Sequence, residues 1–84
     1  LLEQNYPNPF NPVTNIRFHL TDPSPVKLTV FDIQGREIET LVNEKLDAGI
    51  YTAGWNASGM PSGVYLYKIE TATFSEVKKM ILLK

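Results

Sequence analysis

The sequence contains no cysteine, one histidine and one tryptophan. Without cysteine there are no disulfides, thiolate metal ligands or thiol nucleophiles, so redox chemistry does not fix the compartment. Zinc takes several nitrogen or sulfur ligands, which one histidine does not furnish. His19 falls on the polar side of a predicted strand and reads as a solvated side chain. Long apolar runs are also missing. Nothing approaches the roughly 18–20 residues that span a bilayer, and the N-terminus has no charged region followed by an apolar stretch. If the protein is exported, its signal peptide lies upstream of Leu1. A net charge of −1 gives no field to attract a polyanion, which argues against nucleic acid.

What the chain does have suits one folded unit. Its 84 residues leave room for a single core, burying about 60% of the surface an unfolded chain exposes. Hydrophobic residues at 43% and charged residues at 20% argue against a disordered tail.

Asn5-Tyr6-Pro7-Asn8-Pro9-Phe10-Asn11-Pro12 removes backbone donors at its prolines and biases each preceding residue toward extended geometry. It predicts a lead-in over residues 1–13 attached by Tyr6 and Phe10, ahead of a folded unit over 14–84. From Thr14 the pattern alternates, with Ile16, Phe18 and Leu20 opposite Asn15, Arg17 and His19, which is a half-buried strand. Thr21 to Pro25 interrupts it, and Val26, Leu28 and Val30 resume the period of two. Asp32-Ile33-Gln34-Gly35-Arg36 places glycine where a tight turn needs positive φ, so Ile38 and Val42 return on a hairpin. Asn43 to Gly49 reads as a loop, although Glu37 to Leu46 holds enough helix formers for a short helix.

Tyr51, Ala53 and Trp55 alternate again before the turn-rich stretch Asn56 to Gly63. Val64 to Thr71 has Tyr65, Tyr67 and Ile69 on one face and Val64 and Leu66 on the other, the mark of a central strand. Ser75 to Lys84 is ambiguous in phase and suggests a bulge. Together these segments predict an all-β, immunoglobulin-like antiparallel β-sandwich of six to seven strands.

Catalytic chemistry finds no footing. Ser58, Ser62 and Ser75 have no neighbouring base or oxyanion site. Asp22, Asp32 and Asp47 occur singly and not at calcium-loop spacing, and Asp32 instead orders its own turn. Gly59 and Gly63 precede no helix start with a lysine, so they cradle no phosphate. Asn56-Ala57-Ser58 is a short sequon match of little weight. Trp55 with Tyr51 would suit a sugar-stacking platform if exposed, while its phase with Ala53 favours the core. The residues predict no enzyme, no cofactor and no metal site.

As a set, Asn5 to Pro12, Asp32-Ile33-Gln34-Gly35-Arg36-Glu37, Ser62-Gly63-Val64-Tyr65-Leu66-Tyr67-Lys68-Ile69 and Lys78-Lys79-Met80-Ile81-Leu82-Leu83-Lys84 resemble the C-terminal sorting domain, type A, of type IX secretion (Por secretion system) substrates. One departure is Thr71-Ala72-Thr73-Phe74, which lacks the glycine often found in that turn. The resemblance implies a non-catalytic domain that directs an N-terminal passenger across the periplasm of a Gram-negative bacterium of the Bacteroidetes or a related phylum. The passenger would leave through the outer-membrane translocon and be secreted or attached to the cell surface, with a sortase-like peptidase as second partner.

The candidate sorting residues are Gly63, Tyr65, Lys68, Lys78, Lys79 and Lys84. The last strand is the natural reading element, because an edge strand has unpaired backbone groups and lysines suppress indiscriminate pairing. Two other readings compete. The immunoglobulin-like module of flagellar hook-assembly proteins shares the hairpin and Ser62 to Ile69 blocks, and an accessory carbohydrate-binding module would expose Trp55.

Overall fold

The computed structural model describes every residue from Leu1 to Lys84. Six strands follow one another without a helix: β1 (Val13–Leu20), β2 (Ser24–Asp32), β3 (Glu37–Leu46), β4 (Gly49–Asn56), β5 (Gly63–Glu70) and β6 (Ser75–Leu82). β1 pairs with β4 in one sheet, and β3-β2-β5-β6 lie in that order in the other. All strand pairs are antiparallel, so the sequence expectation of an antiparallel β-sandwich holds, at its lower strand count.

Period-two alternation builds the core between the sheets. Ile16, Phe18 and Leu20 of β1 face Val26, Leu28 and Val30 of β2 and Tyr65, Tyr67 and Ile69 of β5, and all are buried. Each such side chain contributes about 1.5–3 kcal/mol relative to exposure. Trp55 is only 2% exposed. Its ring meets Tyr65 edge-on at 5.5 Å and Phe10 at a tilt at 5.8 Å, and its indole N–H donates to Glu39 Oε1 at 3.2 Å. β5 lies between β2 and β6, which is why its outward residues Val64 and Leu66 are also apolar and half-buried.

Two segments differ from the sequence expectation. Glu37 to Leu46 is neither helix nor partly loop but one ten-residue strand, and only Asp47 and Ala48 separate it from β4. Asn43, Glu44 and Lys45 pair with Lys27, Val26 and Pro25, and an edge strand with a wet face accepts such polar residues. The register shifts twice along β2–β3, between Leu28 and Thr29 and between Val30 and Phe31. The irregularity therefore sits there and not in β6, which pairs with β5 in unbroken register from Ser75 to Leu82.

The turn from β5 to β6 closes without glycine. The Thr71 hydroxyl oxygen accepts from the amides of Thr73 and Phe74 at 3.3 and 3.2 Å, and the Thr71 amide donates to the Phe74 carbonyl at 2.9 Å. No residue other than glycine has positive φ anywhere in the chain, so this turn needs no left-handed residue.

The segment preceding β1 covers two sheet edges. Along β1, the Glu3 amide donates to the Arg17 carbonyl, the His19 amide to the Leu1 carbonyl, and Tyr6 and Asn15 exchange both backbone bonds, all at 2.8–3.0 Å. The chain then crosses the sandwich. At β6 the Phe10 amide donates to the Ile81 carbonyl and the Leu83 amide to the Phe10 carbonyl, each at 3.0 Å. Phe10 is buried, as the sequence suggested, but Tyr6 is 80% exposed and the second buried anchor is Leu2. Tyr6 contributes its backbone and leaves its ring in solvent.

Candidate functional site

The blocks that carry the family resemblance meet at one end of the sandwich and along its last strand. At the β2–β3 turn the Asp32 carboxylate accepts from the amides of Gln34 (2.9 Å) and Arg36 (3.0 Å) and from Arg36 Nε (2.7 Å). The Arg36 amide bond is the main reason its carboxyl is held below the ordinary range, and the Arg36 guanidinium adds to the effect against a partial desolvation. Gly35 at φ 86° closes the turn. A Cβ there would touch nothing within 4 Å, so the backbone angle alone demands glycine.

Opposite this turn, the connection between β4 and β5 folds on itself. The Ser58 amide donates to Asn56 Oδ1 at 3.0 Å and the Met60 amide to the Ala57 carbonyl at 2.9 Å. Between the two lies an open groove of about 380 Å³, lined by Ile33, Gln34, Arg36, Met60, Pro61 and Val64 among others. Two of the sequence-predicted sorting residues line it. Gly63 enters β5 at φ 155°, and Tyr65 donates its hydroxyl to the Pro61 carbonyl at 2.6 Å while its ring stays buried. Burial, and then the Asp32 charge, push the Tyr65 hydroxyl above its ordinary pKa. A third, Lys84, borders the same end: its amide donates to Ser62 Oγ at 3.0 Å and its ammonium to the Ser58 carbonyl at 2.7 Å.

The other three lysines lie apart from the groove and on different faces. Cross-strand partners share a face, so Lys78, opposite buried Tyr67, lies on the core side at the sheet margin. There its ammonium sits 3.8 Å from Glu76. Lys79, opposite Leu66, and Lys68, opposite Val77, lie on the outer face of the four-stranded sheet. That outer face also carries half-buried Phe31, Val64, Leu66 and Ile81, and Val77 is 53% exposed.

β6 is an edge strand, yet much of its edge is occupied. Asn8 Oδ1 accepts the Ile81 amide at 2.9 Å, Phe10 binds Ile81 and Leu83, and Gln4 Nε2 donates to the Lys79 carbonyl at 2.8 Å. The odd-numbered residues thus turn their backbone groups outward. Continuing that alternation, the groups that the lead-in leaves unoccupied include the Lys79 amide and both groups of Val77.

A buried polar cluster holds the lead-in, and the sequence reading missed it. The Asn5 amide donates to Tyr67 Oη at 2.8 Å, and Tyr67 Oη donates to the Glu3 carbonyl at 2.7 Å. Asn5 Nδ2 donates to Thr14 Oγ1 (3.0 Å) and the Pro7 carbonyl (3.1 Å), and the Thr14 hydroxyl donates to that carbonyl at 2.8 Å. Asn5 and Thr14 are both buried. Thr14 carried a signal, since it shares the inward phase of Ile16 and Phe18.

No three residues among His, Cys, Asp and Glu come together to hold a metal ion. His19 Nε2 lies 2.7 Å from Glu3 Oε2, beside Arg17 at 3.4 Å from the same oxygen. Trp55, being buried, presents no face to a sugar ring. No helix is long and apolar enough to cross a membrane.

Comparison with known proteins agrees with the resemblance. The family described as the secretion system C-terminal sorting domain matches residues 4–83. No curated protein matches the chain. A match across nearly the whole fold, lead-in and last strand included, places this chain in the family of C-terminal sorting domains of type IX secretion.

Proposed function

We propose that the domain, a lead-in over residues 1–13 on a sandwich over 14–84, is a non-catalytic address. It directs a passenger N-terminal to it out of the periplasm, through the type IX outer-membrane translocon, to the cell surface. A sortase-like peptidase then acts at the junction with the passenger. The observation that carries this reading is spatial: the lead-in block hydrogen-bonds to the β6 block, β6 pairs along all of β5, and β5 opens at the groove faced by the Asp32 turn.

Within this arrangement the translocon reads the part of β6 that the lead-in leaves open. That part includes the Val77–Lys79 edge with its lysine, together with Lys68 beside it on the outer face and Lys84 at the groove. Gly63 and Tyr65 shape the groove, and Lys78 supports the strand from the core side. An accessory sugar-binding role has no comparable support, because Trp55 is buried.

The test is a reporter carrying an N-terminal export signal and this domain, expressed in a bacterium with a working type IX system. The intact fusion should reach the surface or medium, and removal of Lys78 to Lys84 should leave it in the periplasm. Lys79→Glu should reduce export several-fold more than Lys78→Glu. Equal export of the intact and truncated fusions would refute the reading.

A further inference from the structure

The four outer strand edges are not equally protected. The lead-in pairs with β1 and covers much of β6. β3 carries Glu37, Glu39, Glu44 and Lys45 and two register shifts, devices that discourage pairing with another chain. β4, Gly-Ile-Tyr-Thr-Ala-Gly-Trp-Asn, has no charge, no proline and no register shift against β1.

The free backbone groups of β4 follow from its neighbour. Asn15, Arg17 and His19 of β1 bond to the lead-in, so the even residues of β1 face β4. Their partners are Gly49, Tyr51, Ala53 and Trp55. The amides and carbonyls of Ile50, Thr52 and Gly54 therefore point away from the sheet, and all three residues are exposed.

We propose that this edge is a self-complementary interface by which two copies of the domain pair, β4 against β4, antiparallel about a two-fold axis at Thr52. That register bonds Thr52 to the second copy's Thr52 and Ile50 to its Gly54, satisfying every outward group of the three residues. The side chains also fit. Ile50, 59% exposed, lies across from a residue with no side chain, and an added Cβ at Gly54 would meet only Asn15 Oδ1 at 3.4 Å, so the solvent side is open to it. Neither copy of β4 carries a charge, so no like charges lie directly opposite each other across the seam. The contact is short for a protein interface, which puts the pair among weak, transient associations. β4 belongs to none of the blocks that carry the sorting resemblance, so the proposal stands or falls separately from the sorting role.

Sedimentation equilibrium over a concentration series tests it. The wild-type domain should pass from monomer to dimer below millimolar concentration. Thr52→Lys should weaken association at least tenfold, whereas Val13→Lys, which adds the same charge on the solvent face one strand away, should not. In the wild type, NMR should show the Ile50, Thr52 and Gly54 amides gaining exchange protection with concentration, and this readout decides the matter should Thr52→Lys fail to fold. A wild-type domain that stays monomeric, or dimers that persist unchanged in Thr52→Lys, would overturn the proposal. So would edge amides that become protected only when secretion-machinery protein is added, which would assign the edge to a foreign strand.

Discussion

Tyr67 Oη accepts the amide of Asn5 at 2.8 Å across 62 residues of chain, and it donates to the Glu3 carbonyl at 2.7 Å. One hydroxyl on the central strand thus fixes the segment that covers both the β1 and β6 edges. Replacing it with hydrogen leaves a buried donor and an acceptor without partners, which costs about 1–3 kcal/mol. Tyr67→Phe should lower denaturant stability by that amount. Amide exchange should rise first at Glu3, Tyr6 and Phe10, whose backbone bonds bind the lead-in, and loss spread evenly over the domain would count against the locking role.

The same hydroxyl makes the domain sensitive to alkali. Burial, opposed by the Asn5 hydrogen bond and reinforced by the Glu76 charge, pushes its pKa up to about 12. An unfolded tyrosine releases its proton near pH 10. Between those values the unfolded chain has lost a proton that the folded chain still holds, so folding stability is full below about pH 10 and falls as pH rises toward 12. Tyr65, also raised, acts in the same direction. Denaturation midpoints measured from pH 8 to 12 should decline, and Tyr67→Phe should flatten that decline.

Side-chain burial and backbone pairing separate cleanly in the lead-in. Phe10 is 2% exposed and packs on Trp55, whereas Tyr6 is 80% exposed. Phe10→Ala should cost about 3–5 kcal/mol, and Tyr6→Ala should stay within about 0.5 kcal/mol of wild type. Comparable losses from both in thermal unfolding would mean that the Tyr6 ring packs on the domain.

These contrasts show what was legible in the sequence. Thr14 to Leu20 and Tyr65 to Ile69 alternate without interruption, because each is a strand with one face in the core, and period two survives wherever one face is buried. Glu37 to Leu46 hid its strand character because it is an edge strand with two register shifts, each of which breaks the period. The lead-in has no period, so an aromatic at position 6 suggested burial that Leu2 supplies instead. The Asn5–Thr14–Tyr67 cluster joins residues far apart in the chain, and only the inward phase of Thr14 hinted at it. The groove was illegible for a similar reason: its two walls, the Asp32 turn and the Met60–Val64 segment, come together only through the pairing of β2 with β5.

Glycine at position 35 is required by its φ of 86° and not by space. Gly35→Ala should cost about 1–2 kcal/mol. Gly59→Ala, where an added Cβ also meets nothing within 4 Å and φ is not positive, should be within about 0.5 kcal/mol of neutral. Equal effects of the two substitutions on the unfolding midpoint would remove the conformational argument for the Asp32–Arg36 turn.

Thr29 supplies the opposite kind of test, a substitution that should stabilise. It is 1% exposed in the middle of β2, paired with Thr40 on one side and Lys68 on the other. Its hydroxyl is the one buried side-chain polar atom without a hydrogen-bond partner. Folding strips that hydroxyl of water and gives nothing back, while valine fills the same branched shape without a polar atom. Thr29→Val should therefore raise stability by about 1 kcal/mol, a melting temperature roughly 4–8 °C higher for a domain of this size. A lower melting temperature would mean that the hydroxyl finds a partner in solution.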